Sequence, residues 1–288
     1  MNQLYKILDN KNLKIENEEY MFIILWRERK DIEKLVEEYF LENILEKKDI
    51  NFENQDERYK AVCNIYNDNN FEKDTRSLNQ GKIILYIIKL KNSVYKIIKR
   101  GRTTEPRNMK LFNFKHHVLP KVLPVGRPEF FHSSDNVFES YCTINAFKLK
   151  KNIFHTPYCY VDINSLYVAV WNSYPHNKTI KPYNFVLKKL SETSQFKYLK
   201  GEKSHYLEFI KKCDPRNLKD FEKLIKNFDY SNYNSTKDLD RLVNIGVRSD
   251  NKFLIIDGCH RASLLLYNKI NYIKVYIRPD SYPFYEIY

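Results

Sequence analysis

The sequence predicts an α+β protein, and three stretches of the chain support this prediction. Near the C-terminus, residues 253–277 have the pattern of a strand, a tight turn, a helix and a second strand. In the middle, residues 82–99 are rich in Ile, Val and Tyr, which are favoured in strands. Near the N-terminus, residues 31–48 repeat apolar side chains at helical spacing. We therefore expect a helical N-terminal region, a β-rich middle region and an α/β C-terminal domain.

The first region is expected to cover residues 1–79 and to be mostly helical. Apolar residues interleaved with acidic ones predict a helix over Asp31–Lys48, and a second helix is expected over Gln55–Tyr66. The polar run from residue 67 to residue 74 interrupts this pattern, and we place the first boundary there.

The β-rich region, residues 80–188, opens with a predicted hairpin. Its arms are residues 82–89 and 94–99, and a polar turn separates them. Prolines punctuate the rest of the region, which favours short strands with long connections.

A basic segment, Lys99–Arg107, follows the second arm of that hairpin. Its cations around a single glycine could contact phosphates, or the segment could be a solvated turn, and both interpretations remain open. Lys99, Arg100 and Arg102 are the candidate phosphate or acceptor contacts.

The C-terminal domain, residues 189–288, carries the most informative stretch, Asp257-Gly258-Cys259-His260-Arg261. It joins an apolar strand to a helix, and the N-terminus of a helix attracts anions through unpaired N–H groups and the macrodipole. The glycine permits close backbone approach, the arginine can bind phosphate with two bonds, and the histidine can donate a bond or move a proton. The aspartate could hold Mg²⁺.

A structural interpretation of the same residues also remains open. Asp257 could cap the helix, Cys259 could fill the core and Arg261 could be solvated.

The Asp257–Ala262 sequence, between an apolar strand and an apolar helix, resembles the signature turn of the ParB/sulfiredoxin superfamily. The resemblance covers about the last hundred residues and implies a ParB/sulfiredoxin-like fold that binds nucleotide phosphates at this turn. Asp257 at the first position resembles the D-G-H-H-R motif of free-serine kinases. Sulfiredoxins carry G-G-C-H-R, so Cys259 falls on their catalytic cysteine, whereas the G-E-R-R-type turn of ParB is absent.

The kinase resemblance also extends to Glu202. In the free-serine kinases a strand ends in an acidic residue that serves as base, and Tyr198–Glu202 is the comparable segment here. We assign Glu202 as the candidate base, and His205 as a possible acceptor or phosphate contact.

A nuclease is the rival from another class. Tyr86 and Tyr95 in the predicted hairpin, with Arg107 downstream, resemble the opening of GIY-YIG nucleases, and Glu139 would be the later glutamate. Two departures from the nuclease motif count against this interpretation. No glycine directly precedes the segment around Tyr86, and three extra residues separate Ile97 from Gly101.

The amino-acid composition limits the classes of protein to which this chain could belong. Hydrophobic residues make up 43% of the chain, which favours a folded domain, and the net charge of +13 favours anionic partners. The five cysteines are far apart without a C-x-x-C pair, so we expect reduced thiols and no structural zinc. No apolar stretch is long enough to span a membrane, so a cytoplasmic protein is expected.

Together these features predict a nucleotide-dependent phosphotransferase that uses Mg²⁺ and a nucleoside di- or triphosphate, with ATP or ADP favoured. The expected acceptor is a small hydroxylated molecule such as an amino acid or a sugar building block of surface polysaccharide. Asp257 and His260 are the catalytic candidates beside Glu202, and residues 258–261 are the phosphate-binding candidates. A nucleic-acid-binding protein or nuclease and a sulfiredoxin-like reductase are the alternatives, and no oligomeric state is predicted.

Overall fold

The computed structural model describes residues 5–7, 13–66, 81–100, 103–123, 130–150, 153–171, 185–212, 216–236, 238, 241–247 and 252–278. The chain divides into two compact units, Met1–Thr156 and Pro157–Tyr288. The sequence placed boundaries after residues 79 and 188, whereas the structure divides the chain at residue 156. The polar break at residues 67–74 lies outside the described residues.

Helices and sheets are both present, so the predicted α+β class is confirmed. The strands are β1 Tyr5–Ile7, β2 Leu13–Ile15, β3 Glu19–Leu25, β4 Ile44–Ile50, β5 Ile83–Leu90, β6 Ser93–Arg100, β7 Thr103–Asn108, β8 Phe131–Ser133, β9 Tyr158–Asp162, β10 Tyr167–Trp171, β11 Phe185–Lys189, β12 Val243–Val247, β13 Phe253–Asp257 and β14 Tyr272–Ile277.

The α-helices are α1 Lys30–Tyr39, α2 Gln55–Tyr66, α3 Met109–Asn113, α4 Val137–Ala146, α5 Ser194–Leu199, α6 Lys203–Lys212, α7 Arg216–Asn227 and α8 Cys259–Tyr267. Within the described part of the chain, none of the helices is long and apolar enough to cross a membrane.

The first unit contains two antiparallel sheets. In one, β6 pairs with β1, β2 and β7; in the other, the order is β4-β5-β3-β8. The central strands β3 and β5 are buried over almost their whole length, which explains their continuous runs of Ile, Leu, Phe and Tyr. Helix α4 packs on β3 and on α2.

The prediction of a mostly helical N-terminal region was wrong. The helix α2 is confirmed, but residues 19–25 and 44–50 are strands, and the helix expected over residues 31–48 ends at Tyr39. Both strands pair with β5, which lies more than thirty residues further along the chain. Such long-range pairing overrides local helical spacing.

The predicted hairpin was also wrong, although its two strands exist. β5 lies between β3 and β4 in one sheet, whereas β6 belongs to the other. The described part of the basic segment is strand, because Lys99 and Arg100 end β6 and pair with Thr104 and Thr103 of β7. Residues 101 and 102 lie outside the described residues.

The second unit is built on a six-stranded mixed sheet with the order β11-β10-β13-β12-β14-β9. The strands β13 and β14 and the helix α8 between them confirm the predicted strand, turn, helix and strand. However, β12 lies between β13 and β14, antiparallel to the first and parallel to the second. The helix therefore connects two strands that run in opposite directions.

A layer of helices covers α8. Its small core consists of buried side chains from α5, α6, α7 and α8, namely Tyr198, Tyr206, Ile210, Phe221 and Leu264. This core matters for function because it contacts His260, the second residue of α8.

Candidate functional site

The turn between β13 and α8 depends on Gly258. Its φ of +87° lies in the left-handed region, which side chains with a Cβ rarely adopt. A Cβ at this position would lie 2.9 Å from Nη2 of Arg261 and 3.2 Å from Cα of Val243. Glycine is therefore required here both by the backbone conformation and by the close approach of two neighbours.

Arg261 folds back on the turn and holds it together. Its Nη2 donates to the backbone carbonyl of Leu242 and to Oδ2 of Asp257, each at 3.1 Å. Its Nε is buried and has no hydrogen-bond partner among the described residues. The guanidinium thus joins β12, β13 and α8, and it keeps one buried donor unused.

Asp257 ends β13 and is the exposed member of this ion pair. Its side chain is 57% exposed, compared with 20% for Arg261. A solvent-exposed carboxylate at the start of a helix is accessible to a cation or to a substrate group, whereas a pair this open to solvent contributes little to stability.

His260 faces the helical layer. Its Nε2 lies 2.6 Å from the hydroxyl of Tyr206, and its ring centroid lies 4.5 Å from that of Phe221. Burial, together with the nearby Arg261 cation, lowers the pKa of His260 to about 4, so the ring is neutral at pH 7. Since Tyr206 occupies Nε2, any bond from His260 to a phosphate would come from Nδ1.

Cys259, the first residue of α8, is a free cysteine. Burial raises its pKa to about 12, so the thiol is protonated at neutral pH. Because the thiolate is the nucleophilic form, this environment does not favour the sulfiredoxin-like role.

Sequence analysis missed two polar residues of this site. Asn244 of β12 is 6% exposed, and its Oδ1 has no partner in the described residues. Tyr233 is buried, and its hydroxyl accepts a hydrogen bond from the N–H of Val243 at 2.8 Å. A single amide in the apolar run Leu242–Val247 was the sequence signal that could have revealed Asn244.

Glu202 and His205 lie on the helical layer. Both are exposed, Glu202 directly before α6 and His205 in its first turn. The segment before Glu202 is the helix α5 rather than a strand, so the comparison with the strand of the serine kinases is not supported. The ammonium of the nearby Lys200 lies 5.5 Å from the ring centroid of Tyr267, at the end of α8 opposite the turn.

The other candidate phosphate contacts belong to the first unit. Lys99 is exposed on β6, Arg100 is the last residue of that strand, and Arg102 lies outside the described residues. The structure therefore brings together Asp257, Gly258, Cys259, His260 and Arg261, as predicted, whereas Lys99 and Arg100 belong to the other unit.

Only two of the four nuclease candidates, Arg107 and Glu139, lie in one cluster. Tyr86 donates to Glu37 at 3.1 Å, and Tyr95 donates to Glu19 at 2.9 Å. Arg107 is instead part of a buried network in the first unit, with Glu105, Asp135, Glu139 and Lys115.

The pKa values of two carboxyl groups in that network, Asp135 and Glu139, are shifted in opposite directions. Although burial acts in the opposite direction, Lys115 and Arg107 hold the pKa of Asp135 below its usual range. Burial and the neighbouring Asp135 raise the pKa of Glu139 to about 7. Among the described residues no group of three or more His, Cys, Asp and Glu side chains could hold a metal ion. Because Arg107 and Asp135 are buried and paired with each other, we interpret this network as structural.

No protein-family model, curated protein or solved structure matches this chain. The chemistry of the site therefore rests on its geometry. An open helix N-terminus, a fixed guanidinium and an exposed carboxylate can bind an anion together with a cation.

Proposed function

We propose that the second unit binds the phosphates of a nucleoside di- or triphosphate at the Asp257–Arg261 turn and transfers a phosphoryl group to a small hydroxylated acceptor. ATP or ADP is the favoured nucleotide, and amino acids or sugar building blocks of surface polysaccharide are the acceptors to test. The observation that carries the proposal is the left-handed Gly258 at the N-terminus of α8, with the guanidinium of Arg261 folded against it.

Phosphate binding is supported by the physics of this turn. The first N–H groups of a helix have no partner within the helix, and no side chain caps α8. An anion at that position gains their hydrogen bonds and the positive end of the macrodipole. The buried Nε of Arg261 adds a charge-assisted donor that has no partner in the described residues.

The transfer step rests on the resemblance of the turn to that of the free-serine kinases. Phosphoryl transfer depends mostly on positioning and charge stabilisation, and Arg261 is placed for both. Asp257 fits a shared Mg²⁺ site, because this ion is commonly held by one or two carboxylates with water and substrate phosphates. When bound there, Mg²⁺ would neutralise phosphate charge.

Glu202 remains the candidate base in this proposal, and its exposed position leaves it free to meet an acceptor. Glu208 offers a control, because it is also exposed and lies on α6, the helix that directly follows Glu202. Loss of transfer in Glu202→Gln but not in Glu208→Gln would support the assignment, and equal activity of both variants would remove it.

The two alternatives draw less support from the geometry. The thiol of Cys259 is protonated at neutral pH, and the two tyrosines aligned with the nuclease motif, Tyr86 and Tyr95, contact different partners. The proposal places the protein in the cytoplasm, where nucleoside triphosphates are available.

The test is a transfer assay on the full chain with labelled ATP or ADP, Mg²⁺ and a panel of hydroxylated amino acids and sugars. We expect a phosphorylated acceptor with wild type and a loss of at least about tenfold with Asp257→Asn. Asp220→Asn, an exposed aspartate of α7, is the control and should retain activity. Transfer to no acceptor on the panel, or equal rates for wild type and Asp257→Asn, would contradict the proposal.

A further inference from the structure

Asn244 is a buried polar residue in an otherwise apolar strand. The other members of β12 are valines, an isoleucine and a glycine, and all five residues are buried. The Oδ1 atom of Asn244 is buried without a hydrogen-bond partner in the described part of the chain. An unpaired buried amide oxygen lowers stability, so the residue needs another explanation than packing.

A β-bulge in β13 brings Asp257 of the phosphate turn opposite Asn244. Ile245 pairs with Ile255, but the preceding residue, Asn244, pairs with Asp257, so Ile256 is the extra residue on β13. In a regular antiparallel pair Ile256 would lie opposite Asn244. Directly opposed residues lie on the same face of a sheet, and bulges commonly re-aim a side chain beside a site. The bulge therefore places an amide and a carboxylate side by side at the start of α8.

The turn and the strand beside it each contribute one buried atom without a partner, and the two atoms have complementary chemistry. The Nε of Arg261 is a donor, and the Oδ1 of Asn244 is an acceptor; both are buried without partners among the described residues. The donor suits an anionic oxygen, whereas the acceptor can only take a hydrogen-bond donor. A bare phosphate would satisfy the first atom but not the second.

We propose that Asn244 is a ligand-binding residue whose Oδ1 accepts an O–H hydrogen bond from the molecule held at the Asp257–Arg261 turn. This inference rests on the proposed function of that turn and adds a chemical requirement to it. The bound ligand, together with any ion that accompanies it, must present an O–H donor next to the phosphate. That donor is either a hydroxyl group of the ligand itself or a water molecule on the Mg²⁺ ion that accompanies its phosphates.

The test compares nucleotide affinity in wild type and Asn244→Leu, measured by calorimetry with ATP or ADP in Mg²⁺ and again in EDTA. Leucine has the same branching and number of side-chain heavy atoms as asparagine and suits an apolar strand, so we expect a folded protein that binds about tenfold or more weakly. Asn268→Leu is the matched control, because Asn268 is exposed at the opposite end of α8. If the leucine variant does not fold, Asn244→Ala replaces it.

The measurements in Mg²⁺ and in EDTA together identify the group that donates the hydrogen bond to Asn244. A loss of affinity in both arms assigns the donor to a ligand hydroxyl, and a loss only in Mg²⁺ assigns it to a metal-bound water. Wild-type affinity of Asn244→Leu in both arms would overturn this assignment and leave the proposed function standing. No nucleotide binding by wild type would overturn the proposed function, and this assignment with it.

Discussion

The hydroxyl of Tyr206 lies 2.6 Å from Nε2 of His260, and this contact fixes the start of α8 against the helical layer. The same histidine packs on Phe221 and is neutral at pH 7. His260 is therefore as much a part of the small core as of the phosphate turn. Because this buried ring is neutral in the folded protein, the stability of the fold should depend on pH.

The neutral form of His260 should stabilise the fold only above a defined pH. Its pKa is about 4 in the folded protein and about 6.5 when unfolded, so the unfolded chain takes up the proton first as the pH falls. The contribution of neutral His260 to the free energy of unfolding is complete above pH 6.5 and is lost as the pH falls toward 4. In total it amounts to about 3 kcal/mol. We expect His260→Gln to lose less stability than wild type between pH 7 and pH 4 in denaturant unfolding.

The exposed His205 supplies the control for this comparison, because it lies one residue from Tyr206. His205→Gln should follow the wild-type curve. Identical pH dependence of wild type and His260→Gln would refute the role assigned to the buried histidine.

Gly258→Ala should weaken both stability and nucleotide binding. The alanine would adopt an unfavourable left-handed conformation, at a cost of about 1–2 kcal/mol, and its Cβ would displace the guanidinium of Arg261. Gly201→Ala is the matched control: Gly201 has a φ of +95°, but its Cβ would meet nothing within 4 Å. The measurement is thermal unfolding with and without nucleotide. Equal effects of the two substitutions would show that the contact with Arg261 is unimportant.

Glu19→Gln should stabilise the first unit at high pH. Glu19 is fully buried without a cation, and burial raises its pKa to about 7. Because the pKa of Glu19 is raised in the folded state, the contribution of this side chain to the free energy of unfolding is complete below pH 4.5. That contribution is lost as the pH rises through 7. We expect the free energy of unfolding of the variant to exceed that of wild type by about 1–3 kcal/mol at pH 8.5 and by much less at pH 5. The exposed neighbour Glu18→Gln is the control, and a gain that does not depend on pH would argue against this explanation.

The buried pair of Arg107 and Asp135 should be essential for the first unit. Asp135 is fully buried and Arg107 nearly so; removing one charge therefore leaves the other uncompensated. Asp135→Asn should cost about 3–5 kcal/mol in denaturant unfolding. Asp238→Asn, which removes the exposed partner of Arg241, should cost less than about 1 kcal/mol. Similar costs for the two substitutions would contradict the structural role of the network.

Local pattern was sufficient for the elements of the second unit. The strand, turn, helix and strand predicted over residues 253–277 are present, and the Asp-Gly turn was found because an apolar strand and a leucine-rich helix flank it. These elements are short, bounded by polar residues and uniform in composition. Their signal therefore lies within the segment itself.

Long-range pairing explains what the sequence did not reveal. Ile44–Ile50 has four consecutive charged residues between apolar ends, a pattern that does not by itself indicate a strand, and only its pairing with β5 makes it one. The bulge that places Asn244 opposite Asp257 is likewise a property of two paired strands. So is the contact between Tyr206 and His260, which are separated by 54 positions in the chain.

The most direct test of the central claim is nucleotide-dependent stabilisation, measured by thermal unfolding with Mg²⁺ and ATP, ADP, CTP or GTP. At a hundredfold excess over Kd, a ligand that binds only the folded state adds about 2.7 kcal/mol. We expect wild type and the exposed-site control Arg241→Ala to gain stability with at least one nucleotide, and Arg261→Ala to lose most of that gain. No gain for wild type with any nucleotide, or an undiminished gain in a folded Arg261→Ala variant, would contradict the assignment of the phosphate site to this turn.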